Sequence, residues 1–179
     1  MDVHEFLVID IETSGGSMDN IPIGFQLLLA GVRLGSTYLM YTSERASLAQ
    51  LHGHLAGFNG PIVTFNGTHF DLPILDHWMQ KTLGKPLSIP HHYDLMVEIR
   101  KVAGRRISLD RISRYTFGQE KLSWDHRRNS QVWEEEPQRL IDYNRVDLDL
   151  THELFSRVIR GEYLFLGDAS IQLDLSPAR

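Results

Sequence analysis

The apolar run Phe6-Leu7-Val8-Ile9 leads directly into Asp10-Ile11-Glu12-Thr13-Ser14-Gly15, and this junction constrains the chain more than any other stretch. Consecutive apolar residues read as a strand buried on both faces, the kind found inside a covered sheet. Side chains two apart on a strand point the same way, so Asp10 and Glu12 project together. Two like charges so placed repel unless a cation joins them. Hard divalent ions such as Mg2+ or Mn2+ suit such an all-oxygen site. Taken alone, the pair reads equally well as two acids ending a strand at a Gly-rich turn.

A chain of 179 residues with 42% hydrophobic composition is long enough for one compact domain, expected to span 1–179 with a core over about 5–160 and a C-terminal tail over about 161–179. No apolar stretch reaches membrane-spanning length, and the N-terminal Met1-Asp2-Val3-His4-Glu5 carries no signal-like pattern. The absence of cysteine excludes disulfides, thiolate zinc and thiol catalysis, and suits a reducing cytoplasm, the expected location.

The net charge of −5 is unevenly spread. Arg100, Lys101, Arg105, Arg106, Arg111, Arg114, Lys121, Arg127 and Arg128 face only Asp110, Glu120 and Asp125 in the same segment, making it +6 and leaving −11 elsewhere. A basic stretch in an acidic chain fits a phosphate-binding flank beside a metal-binding carboxylate cluster, or a solvated Arg-rich helix face.

After the first strand, Ser14-Gly15-Gly16-Ser17 lacks the Gly-Lys-Ser/Thr ending of a phosphate-cradling loop and reads as a plain turn. Residues 26–33 and 37–42 read as a hairpin, 47–56 as a helix and 61–65 as another strand. Further helices are expected around Leu72–Met79, over 95–103, 109–115 and 137–159. Residues 118–131 lack periodicity and read as a loop, and the tail as ambiguous. Asp94 reads as a helix cap between a strand and a helix. His69, His91, His92 and His126 show no ligand spacing and are assigned no metal.

Two further acids stand out. Asp71, in Asn66-Gly67-Thr68-His69-Phe70-Asp71-Leu72-Pro73, opens a helix and reads as an N-cap that could also present an oxygen to a metal-bound water. Asn66 and Phe70 would shape that loop or touch substrate. On the final helix, Leu140, Tyr143, Asp147, Leu150 and Leu154 form one stripe, so Asp147 points inward, whereas Asp142 and Asp149 fall outside it and read as solvated. A lone buried carboxylate is costly, and metal coordination offsets that cost economically. A core tyrosine is the ordinary alternative for Tyr143.

The ordered set of Asp-x-Glu at a strand end, Asn-x3-Phe-Asp after a mid-chain strand and Tyr-x3-Asp on a late helix resembles the DEDD exonuclease superfamily. Tyr143 points to its tyrosine-type (DEDDy) branch, because the position used by the histidine branch is Asp142 here. Ser108-Leu109-Asp110 and Phe117-Gly118-Gln119-Glu120-Lys121 are similar to further stretches of that family. Thr13-Ser14-Gly15 stands where Thr-Thr-Gly is frequent, and Leu148 where Val often follows the last Asp; neither alters a ligand.

The resemblance implies an α/β, ribonuclease H-like fold, a mixed five-stranded sheet with its first three strands antiparallel, flanked by helices. It implies a metal-dependent 3'-to-5' exonuclease that releases 5'-mononucleotides with two Mg2+ or Mn2+ ions per site. Asp10, Glu12 and Asp147 would hold one ion, Asp10 and Asp71 the second, and Tyr143 would position or deprotonate the attacking water. Thr13, Asn66, Phe70 and Lys121 would contact substrate, with Trp124 and Trp133 as stacking candidates. The expected partners are a single-stranded DNA or RNA 3' end and a polymerase, helicase or other repair protein, with no membrane. A ribonuclease H-fold endonuclease and a non-catalytic nucleic-acid-binding or docking subunit are the competing readings.

Overall fold

A computed structural model describes residues 5–119 and 124–175. Its first strand, β1 (Leu7–Gly15), is buried along nearly all its length, as a run with no polar face requires. β2 (Phe25–Leu34) pairs antiparallel with β1, and β3 (Thr37–Tyr41) antiparallel with β2 through the Leu34–Thr37 turn. On the other side of β1 lie β4 (Ile62–Thr64) and β5 (His92–Asp94), both parallel, giving the order β3-β2-β1-β4-β5. The expected mixed sheet with three antiparallel strands is therefore present.

The helices are α1 (Arg45–Gly57), α2 (Asp71–Leu83), α3 (Leu95–Ala103), α4 (Leu109–Phe117), α5 (Asn129–Glu135) and α6 (Pro137–Ile159). Strand alternation divides their contacts between two faces of the sheet. Leu7, Ile9 and Ile11 pack with Leu48, Leu51 and Leu55 of α1 and with Ile74, Leu75 and Met79 of α2. Phe6 and Val8 face the opposite way, into a core with Leu148, Leu154 and Phe155 of α6, Ile99 of α3 and Ile112 of α4. Asp10 and Glu12 continue that second row, so the same alternation that buries Phe6 and Val8 turns both acids toward α6.

The inward stripe of α6 is borne out: Leu140, Tyr143, Asp147, Leu150 and Leu154 are all buried. Asp142 is exposed, but Asp149 is not simply solvated; it accepts hydrogen bonds from Arg33 (2.6 Å) and from the Tyr38 hydroxyl. One expectation needs correction. The stretch read as loop over 118–131 contains a 3-10 turn, His126–Arg128, followed directly by α5, whose seven residues are too few to show a helical period. The tail carries a two-stranded ribbon, β6 (Leu164–Phe165) with β7 (Ser170–Ile171), packed on the α6 core. Among the described residues no helix is long and apolar enough to cross a membrane.

Candidate metal centre and cleft

Ligand oxygens of Asp10, Glu12 and Asp147 all lie within 4.8 Å of one another. Two come from one strand face and one from the helix packed over it, so regular secondary structure alone assembles them. They form part of the lining of a cleft of about 750 Å³, together with Thr13, Asn66, Phe70 and Asp71. Glu12, Asp71 and Asp147 are almost wholly buried. Burying an ion costs several kcal/mol, more than the roughly 1.5–3 kcal/mol gained by burying a leucine there. A fold that buries three carboxyl groups in one cleft is organised around polar chemistry there rather than packing alone.

Asp71 arrives differently. It was read as an N-cap, but it is the first residue of α2, Phe70 occupies the cap position, and no side chain caps the helix. β1 and β4 pair only at Leu7–Ile62 and Val8–Val63 before they part. Beyond that fork the Ile11 amide would lose its ladder partner, and it donates instead to Asp71 Oδ1 at 3.1 Å. Burial pushes the Asp71 carboxyl up to about 7, the Ile11 amide partly opposes this, and Asp94 and Asp147 add to it. Asp71 lines the cleft yet stands outside the close cluster of three.

The loop ahead of Asp71 is organised by Asp94, which caps α3 through the amides of Met96 and Val97, as expected from sequence. Its two carboxylate oxygens also accept from the amides of Asn66 (2.9 Å) and Thr68 (2.8 Å). Asn66, at φ +71°, takes the left-handed turn that asparagine tolerates better than most residues. Its Oδ1 accepts from Arg106 at 2.9 Å.

Tyr143 is not among the cleft-lining residues. Its ring is 1% exposed, stacked on Trp124 with centroids 4.4 Å apart, and met edge-on by His126 at 5.8 Å. Phe70 does face the cleft and makes an edge contact with Phe25. Trp133 is partly buried, packs against Leu28, Val132 and Leu140, and does not line the cleft. Lys121 lies outside the described residues.

The cleft also contains His126 and Arg127, read from sequence as a non-metal histidine and a member of the basic segment, and Asn129, which sequence reasoning passed over. They sit in the aperiodic segment, where nothing but Asp125, capping the short turn through the Arg127 amide, marks structure. His92, considered above for metal binding, instead pairs with Thr64 Oγ1 at 2.9 Å, and burial lowers its pKa.

The basic segment is only partly available. Lys101 pairs with Glu98, Arg105 with Asp168, Arg114 with Asp110 and Arg127 with Asp125. Exposed pairs of this kind contribute little stability, but each removes net charge from the surface field. Arg127 lines the cleft, and Arg106 reaches the cleft-lining Asn66.

The donor set suits a hard divalent cation. With metal–oxygen bonds of about 2.1 Å, neighbouring oxygens on one octahedral ion stand about 3 Å apart, so the three carboxylates would draw closer together around a bound ion. Architecture and acids together define an RNase H-like nuclease fold with a metal-competent cleft at the end of the central strand. The chain belongs to the RNase_H superfamily, whose family model matches residues 7–159. Among solved structures it is similar to the family B DNA polymerase from the hyperthermophilic archaeon Pyrobaculum calidifontis, with a TM-score of 0.67 and 19% identity over 87% of this chain. The chain spans 25% of that polymerase's length. No curated protein matches the sequence.

Proposed function

We propose that the protein is a 3'-to-5' exonuclease of the DEDDy type, acting as a single domain on single-stranded DNA or RNA ends and releasing 5'-mononucleotides with two Mg2+ or Mn2+ ions. The observation that carries this reading is the meeting of Asp10, Glu12 and Asp147 within 4.8 Å in a cleft that Asp71 also lines. The first three would hold one ion, and Asp10 with Asp71 the second. Ions held by Asp10, Glu12, Asp71 and Asp147 would supply Lewis-acid and charge stabilisation at the scissile phosphate.

The chain's own residues would do the rest. Phe70 and Phe25 offer aromatic edges and faces to the terminal bases, and Thr13 and Asn66 offer polar contacts beside them. Arg106, with Lys121 from its own segment, would meet backbone phosphates. Tyr143 would orient the attacking water once the Trp124 and His126 rings that cover it here move aside. Its place one turn before Asp147 on α6 supports the role, and its burial means that substrate binding has to uncover it.

The test uses single-stranded DNA and RNA labelled at either end, and a circular strand, with Mn2+, Mg2+ or chelator. The expected result is stepwise release of mononucleotides from the 3' end only, lost in chelator and in Asp10→Ala. Cleavage of the circle would favour an endonuclease, and binding without product would favour a docking subunit.

A further inference from the structure

Behind the acidic cluster stand two buried asparagines. Asn129, the first residue of α5, is 1% exposed, and every polar hydrogen and its carbonyl are engaged. Its Nδ2 donates to Glu12 Oε2 at 3.1 Å and to the Thr13 carbonyl at 3.0 Å, and its Oδ1 accepts from Trp124 Nε1 at 2.6 Å. An indole nitrogen can only donate, so this contact fixes which end of the amide faces Glu12. The acceptor-only carboxylate then receives a donor at its Oε2.

Asn144 donates likewise to Asp10, although its own Oδ1 accepts no hydrogen bond among the described residues. It is fully buried on α6, between Tyr143 and Asp147, and its Nδ2 donates to Asp10 Oδ2 at 2.8 Å. The space for it exists because the residue opposite Asp10 on β2 is Gly31. A β-carbon there would lie 1.8 Å from Asn144 Oδ1, so any side chain would expel the amide.

We infer that Asn129 and Asn144 are positioning residues that orient the Glu12 and Asp10 carboxylates for a divalent cation. This rests on the metal-dependent reading above. Each supplies a neutral N–H to one carboxylate oxygen, so it fixes the rotamer without adding a cation that would compete with the metal. A merely space-filling role would use an apolar side chain, which carries no cost of burying an amide.

The experiment is calorimetric titration of the metal-free protein with Mn2+, comparing the parent with Asn129→Leu and Asn144→Leu, each first shown to unfold cooperatively. The expected result is Mn2+ binding weakened about tenfold or more in each folded variant, the range typical when a partner behind a ligand is removed. Should either leucine variant fail to fold, Trp124→Phe, which keeps a ring against Tyr143 but removes the indole donor, and Asn144→Ser serve in its place and are expected to weaken Mn2+ by several-fold. Unchanged Mn2+ affinity in folded variants, with the parent binding normally, overturns the positioning role alone. A parent that binds no Mn2+ overturns the metal reading and this inference with it.

Discussion

Asp10, Glu12 and Asp147 come from opposite ends of the chain and converge within 4.8 Å, whereas the cations between Arg100 and Arg128 begin as neighbours and several of them end in ion pairs with separate acids. The acids ride on one strand face and one helix stripe, whose periodicities aim them at a common point. The arginines lie on short helices and turns whose surfaces carry their own acids, so Arg105, Arg114 and Arg127 are neutralised by Asp168, Asp110 and Asp125. The difference teaches that a run of charge in sequence need not make a field. Placement on long, buried elements does.

The comparison breaks most sharply at the acids. Asp10→Ala is expected to lower metal-dependent nucleotide release about a thousandfold, since the ions it would help hold are worth several kcal/mol in the transition state. Gel analysis of end-labelled strands reads this directly, and near-parental turnover would remove the cluster from catalysis.

Next in size is a stability effect at Asp71. Its carboxyl sits near 7 in the folded protein against an ordinary value of 3.8. Between about pH 4 and 7 the unfolded chain has released this proton while the folded state still holds it. Stability in chelator therefore declines as pH rises through that window, by at most about 4 kcal/mol, and levels off above it. Asp71→Asn retains a carbonyl for the Ile11 amide and should flatten that decline in urea titrations from pH 4 to 8. Parallel curves for parent and variant would show that Asp71 is ionised throughout.

Tyr143→Phe keeps the ring stack on Trp124 and removes only the hydroxyl, so folding should be unaffected while the rate of release falls about a hundredfold, as expected for loss of a group that orients or deprotonates water. A rate within about twofold of the parent would assign the tyrosine to packing. The smallest effect belongs to the basic segment: Arg106→Ala should weaken single-strand binding a few-fold and reduce the salt slope by about 0.7, while Arg105→Ala, already paired with Asp168, should change neither. Equal losses in both would mean that the ion pairs do not shield the segment.

The fold was legible in the sequence wherever a period had room to repeat. The apolar run before Asp10, the hairpin around Leu34 to Thr37 and the stripe on α6 each gave the correct element and the correct facing. The α5 helix was not legible, because seven residues hold fewer than two turns. Within the site, Asp10, Glu12 and Asp147 followed from alternation and helical spacing. Asn129, Asn144 and His126 did not, since a buried amide beside a carboxylate leaves no pattern along the chain; only Gly31, small inside an otherwise bulky strand, hinted that something approaches closely. Asp71 was found for an ordinary reason, a helix start, and turned out to serve β1 rather than its own helix.

That substitution of a side chain for a strand at the fork between β1 and β4 links two events that would otherwise be separate. One oxygen of Asp71 is spent on the Ile11 amide, in the same strand segment that carries Asp10 and Glu12. A cation bound at the remaining oxygen would therefore share one carboxylate with the backbone of β1, and so with the strand that carries Asp10 and Glu12.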